Sequence, residues 1–157
     1  DLDAWVARSV IEMRACLGPE IARRCAERGD AALADRLDAV VSAMALDEDL
    51  ERRQAESLEF WATLVEGSRN VAYRLAYNSL RASYDTFRAA LVQVMGAELR
   101  SLDSFQAVAD AVRARDGEAA AQRAAELLEL GARGLYEMLD TLQAFSEGQA
   151  FAEGESS

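Results

Sequence analysis

The stretch 70-NVAYRLAYNSLRASYDTFRAALVQVM-95 decides how this chain folds. It contains no Gly or Pro, and its only four charges are Arg74, Arg81, Asp85 and Arg88. At roughly 100° per residue it sorts into three faces of a helix. Asn70, Arg74, Asn78, Arg81, Asp85 and Arg88 make a polar stripe within about 80° of arc. Beside it run Tyr73, Tyr77, Leu80, Tyr84, Phe87 and Leu91. The third side is small or apolar, with Val71, Ala72, Leu75, Ala76, Ser79, Ala82, Ala89 and Ala90. A helix apolar over so much of its circumference is expected to be largely buried among other helices. The polar stripe then has two possible roles. It faces solvent, with helix ion pairs Arg81–Asp85 and Asp85–Arg88, or it faces a cavity where Asn78, Arg81 and Arg74 meet an anion.

The segments on either side of this stretch are also helical. Asp3 is placed to cap a helix over Ala4–Leu17, interrupted or bent at Gly18-Pro19 and continued to about Arg28. Gly29-Asp30 stops that helix and caps the next, whose Leu33, Leu37, Val40, Val41 and Met44 share one side. Asp47, Glu48 and Asp49 favour a further N-terminus, leading into the apolar cluster Leu58, Phe60, Trp61, Leu64 and Val65. Gly67-Ser68-Arg69-Asn70 is a tight connection, with Asn70 or Ser68 as cap. Beyond Gly96, Ser101 or Asp103 caps a helix bearing Phe105, Val108, Ala109 and Val112. Asp116-Gly117 turns into a last helix, expected to reach about Phe145 with a bend near Gly131 and Gly134. The expected architecture is all-α: a single antiparallel bundle of about six to seven helices. It occupies residues 1–146, and the Gly, Ser and Glu content of 147–157 predicts a disordered acidic tail.

Totals narrow the function. A chain of 157 residues suffices for one domain with a sizeable core. The net charge of -11 leaves no general basic footprint for nucleic acid. No apolar run spans a bilayer, so no membrane partner is expected. Cys16 and Cys25 fall on nearly opposite faces of one helix, which argues against a disulfide and for a reduced, cytoplasmic setting. The chain has no His, which excludes His-dependent triads and His-ligated metals. No cofactor is expected.

The order of motifs resembles the FCD domain, the C-terminal effector-binding domain of GntR-family transcription regulators in the FadR branch. Arg14-x-x-Leu17-x-Pro19, followed by Cys25-Ala26, is similar to the opening Arg-x-x-Ile/Leu-Glu-Pro of that family, with Gly18 in place of the usual Glu. Phe60 through Asn70 resembles its Phe-His and Ser-Gly-Asn. Val108-x-x-Ala111-Val112-x-x-x-Asp116 is like its turn into the last helix. The resemblance implies a ligand-binding bundle that dimerises and carries an N-terminal winged helix-turn-helix, absent from this chain, through which DNA is bound. It also implies, in most members, a metal held by one Asp and three His. Here Ser57 stands for the Asp, Trp61 and Phe105 for two His, and the third falls near Leu127, as expected of the metal-free, acyl-responsive branch.

The candidate ligand-binding residues are therefore Arg14, Ser57, Trp61, Tyr73, Asn78, Arg81, Tyr84 and Phe105. Each also has a plainer reading: core packing for the aromatic residues, an outward-snorkelling side chain for Arg14. By resemblance the expected effector is a long-chain acyl-CoA or fatty acid, with a smaller organic acid as the next candidate, and no catalysis is expected. A ligand-free dimerisation module and a TetR-like effector domain are the alternatives. An enzyme working with carboxylates and Arg alone is a more distant one, for which no convergent acid pair is visible.

Overall fold

The computed structural model describes residues 2–154. Among them it is an all-α bundle of seven helices. Helix α1 spans Leu2–Arg28, α2 Ala31–Leu46, α3 Leu50–Ser68 and α4 Val71–Val94. A short α5, Gly96–Arg100, precedes α6, Leu102–Arg113, and α7, Gly117–Gly154. Helix α1 packs on α7 and α3; α6 closes on α7 and α2; α4 joins mainly through α3.

Local chemistry sets most boundaries. The Asp30 carboxylate accepts from the Leu33 amide at 2.9 Å, and Asp49 from that of Glu51 at 3.0 Å, each satisfying an amide the helix leaves free. Asn70 does the same for Tyr73 at 3.1 Å, so Asn70 is the cap of α4. Arg69, in the left-handed region at φ 50°, ends α3. Ser101 begins α6 without a side-chain cap, its hydroxyl lying 2.6 Å from that of Ser104. The Asp3 side chain lies outside the described residues.

Gly18-Pro19 does not divide α1, which runs as one helix with Pro19 inside it. Pro removes one helical hydrogen bond, and here packing of α1 along α7 and α3 offsets that loss. Gly131 and Gly134 do not break α7; they let neighbouring elements approach. A Cβ on Gly134 would overlap the Val94 carbonyl oxygen, and one on Gly131 the Glu98 carboxylate. Lastly, α7 is helical through residues 147–154, where a disordered tail was expected, and it is exposed from Thr141 through Phe151. Residues 155–157 of that stretch lie outside the described residues.

The apolar interior has two parts. One gathers Leu37, Met44, Phe60, Leu64, Phe105 and Leu127, with Phe60 and Phe105 edge-to-face at 5.2 Å. The other holds Ile11, Tyr84, Leu91, Met95, Leu99 and Leu135. Helix α4 turns its aromatic stripe towards them: Tyr73 and Tyr77 pack against the first, while Tyr84 and Leu91 belong to the second. The expectation that the small and apolar face of α4 is buried does not hold. Val71 is 72% and Leu75 64% exposed, and Ala72, Ser79, Ala82 and Ala89 are exposed as well. The large rings claim the interior because they remove more apolar area from water than alanines do. The side chains of Phe87 and Ala90 lie outside the described residues.

Candidate functional site

A cavity of about 70 Å³ lies at the seam between the two cores. Helix α1 supplies Val10, Arg14, Leu17, Gly18 and Ile21; α3 supplies Ser57, Leu58 and Trp61; α4 supplies Tyr77, Leu80, Arg81 and Tyr84. Met95 and Leu128 complete it. Of the eight predicted residues, the fold brings Arg14, Ser57, Trp61, Arg81 and Tyr84 together around this space. Tyr73 packs on the larger core and Asn78 is exposed, neither lining the cavity. Phe105 is fully buried behind it against Phe60. Helical phase accounts for Asn78: it belongs to the polar stripe, of which Arg74, Asn78, Asp85 and Arg88 are exposed and only Arg81 reaches the lining.

The polar groups of the site are few and mostly fixed. The Tyr77 hydroxyl donates to the Leu58 carbonyl at 2.7 Å, and burial pushes its pKa up to about 12. The Tyr84 hydroxyl accepts from Gln54 Nε2 at 2.6 Å and donates to Met95 Sδ at 3.0 Å; burial raises its pKa too. Arg14, its side chain 16% exposed, donates through Nη2 to both oxygens of Glu98, at 2.8 and 3.1 Å. Glu98 is completely buried. Burial pushes its carboxyl above the usual carboxylate range, while the charge and hydrogen bonds of Arg14 pull it back. Two buried polar atoms nearby have no hydrogen-bond partner: Trp61 Nε1, on a residue that lines the cavity, and Gln54 Oε1. A buried donor without a partner is costly.

Sequence reasoning missed Gln54 and Glu98, and it placed Tyr77 only in the aromatic stripe. Gln54 shares a helical face with Ser57, Leu58 and Trp61, and Glu98 interrupts an apolar run between Met95 and Leu99. A polar residue on an otherwise core-facing stripe was the available signal in both cases. Gly18 has a steric role. A side chain there would overlap Leu128 Cδ1 and come within 3.4 Å of Trp61 Cη2, so glycine lets these two groups wall the cavity.

The metal implied by the family resemblance does not fit this chain. The positions matched to its ligands hold Ser57, Trp61, Phe105 and, nearby, Leu127, and Trp, Phe and Leu offer no lone pair a metal can use. Among the described residues no group of three His, Cys, Asp or Glu gathers.

The FCD domain model matches residues 9–130. The uncharacterised HTH-type transcriptional regulator Mb0601 of Mycobacterium bovis is 34% identical over 139 residues, covering 88% of this chain and 58% of that protein. The HTH-type transcriptional regulator Mce2R of Mycobacterium tuberculosis matches with the same identity and coverage. This chain belongs to the FCD domain family, a family of regulatory, effector-binding domains. It spans about 58% of the length of these two relatives.

Proposed function

We propose that this domain senses a small organic acid for a GntR-type transcription regulator. In that regulator an attached winged helix-turn-helix makes the DNA contacts. The observation that carries the reading is the cavity at the core seam: it is apolar, holds Arg14 in its wall and has Arg81 at the lining. A guanidinium fork beside an apolar space suits a carboxylate with a hydrocarbon body. The effector acts by population shift, preferring one packing of α1, α3 and α4 and so re-spacing two DNA-binding heads. The domain performs no catalysis in this reading and works in the cytoplasm. No described helix is long and apolar enough to cross a membrane.

Size bears on which acid. At about 70 Å³ the cavity is small, which suits a short or compact acid without rearrangement. A fatty acid or acyl-CoA is the second reading, favoured by one observation. Two further clefts, one against Ala125 and Ala132 and one against Ala7 and Leu91, also border Arg14, giving a longer chain somewhere to thread if α4 yields.

The test is a thermal-shift and calorimetric screen of the purified chain against linear monocarboxylates from acetate to dodecanoate, with the matching acyl-CoAs. Short acids are expected to bind and raise Tm. Arg81→Ala should weaken that binding about fivefold to tenfold while changing stability by less than about 0.5 kcal/mol, because Arg81 is exposed. A flat response across the panel would favour a ligand-free dimerisation module.

The same reading gives the domain a partner of its own kind. The outward face of α4, with exposed Val71 and Leu75 among small Ala72, Ala82 and Ala89, is apolar and closely approachable, which suits a second copy of the chain.

A further inference from the structure

The Arg14–Glu98 pair presents a conflict that the proposed effector would have to resolve. Arg14 is the one cation held in the cavity wall by a buried contact, and it is already neutralised by Glu98. A carboxylate effector arriving at Arg14 would place two carboxylates on one guanidinium in a low-dielectric space. Burying an unpaired charge costs several kcal/mol, so both anions cannot remain ionised there.

We propose that Glu98 is the specificity-determining residue of the site: an effector monocarboxylate takes over Arg14, and Glu98 accepts one proton from solvent as it loses its cation. This rests on the organic-acid reading above. The balance is simple, since one anion and one proton enter and the charge of the buried site is unchanged. A monoanion satisfies it, whereas the second charge of a dianion is left to the solvent-screened Arg81.

The surroundings of Glu98 leave it no second counter-ion. From α1 it faces Arg14; from α4, Tyr84, which stays neutral because burial raises its pKa. Arg88, further along α4, is exposed. From α3 come neutral Gln54 and charged Arg53, which is engaged with the backbone carbonyls of Met44, Asp47 and Leu99. Helix α7 offers Gly131, whose missing side chain makes the room the carboxylate occupies. Glu129, which borders the far side of Arg14, is exposed and paired with Arg133 at 2.8 Å. Arg100, on α5 itself, is exposed and lies over Gly96. Arg81 is exposed too, and its charge is screened by solvent. The raised pKa of the buried carboxyl agrees with a proton being taken up readily once Arg14 turns away.

The experiment is calorimetric titration of the chain with hexanoate, in two buffers of different ionisation enthalpy and at several pH values. Wild type is expected to take up about one proton per hexanoate, with affinity falling up to tenfold per unit as pH rises. Glu98→Gln, which mimics the protonated acid, should bind roughly tenfold tighter, with no proton uptake and no pH dependence. Succinate should bind wild type at least tenfold more weakly than hexanoate. If wild type binds hexanoate without proton uptake, the exchange is overturned while the organic-acid reading stands, and this measurement needs no variant to fold. Equal or weaker binding by a folded Glu98→Gln overturns the exchange in the same way. If neither protein binds hexanoate or any other acid of the panel, the organic-acid reading fails and the exchange falls with it.

Discussion

At the scale of single residues, the buried ion pair sets the pH behaviour. Glu98 has its carboxyl raised in the folded state above the ordinary 4.5 by burial, with Arg14 opposing. A raised acid contributes stability that is full below the unfolded pKa and lost as pH rises through the folded one. Removing the cation sharpens this: Arg14→Met leaves Glu98 buried and unpaired. The variant should be less stable than wild type by about 3 kcal/mol near pH 8, with the deficit shrinking towards pH 5 as Glu98 protonates. Urea unfolding across that range measures it, and a pH-independent deficit would mean that Arg14 contributes packing alone. The two thiols give a second test. Cys16 is exposed, whereas Cys25 is buried with its pKa pushed up to about 12. Of the two, only Cys16 should react with a thiol reagent at pH 8 without denaturant, and the second should appear on unfolding. Residues whose role depends on immediate neighbours were legible in the sequence, as Asp30 and Asn70 were as caps. Glu98 was not, because its partner lies 84 positions away on another helix.

Among the elements, α4 and α7 show how closely two helices approach where glycine allows it. A Cβ at Gly134 would overlap a backbone oxygen of α4, which moves only if the helices part. Gly134→Ala should therefore cost roughly 1–3 kcal/mol, despite a propensity gain of about 1 kcal/mol for Ala in a helix. Chemical denaturation of the variant reads the balance, and a net gain in stability would show that the contact yields easily. Glycine in a helical pattern suggested a bend in α7; the helix is continuous there, and the glycines give its neighbours room. Pro19 teaches the same lesson within α1. A local breaker loses to packing when the helix is long and held on two sides, by α7 and α3.

For the whole molecule, the outstanding feature is that α4 commits only one of its three faces to the core. The polar stripe of α4 meets solvent and its small-residue face is exposed. Leu75→Glu should leave the monomer fold within about 0.5 kcal/mol of wild type, since Leu75 is 64% exposed. If two copies meet on this face, sedimentation velocity should show wild type as a dimer and the variant as a monomer. An unchanged sedimentation coefficient would place any self-association elsewhere.

The amino-acid sequence by itself determined the helical class, most helix ends, the FCD family and the absence of histidine chemistry. Each of these depends on composition or on residues a few positions apart, where capping, turn geometry and helical period act. Only the tertiary structure decided which face of α4 points inward, that Asn78 and Phe105 stand away from the cavity, and that Arg14 is held by Glu98. Those facts depend on the rotation of each helix about its axis. That rotation is set by how ring and methyl volumes from several helices fill shared space, and periodicity along one helix does not specify it.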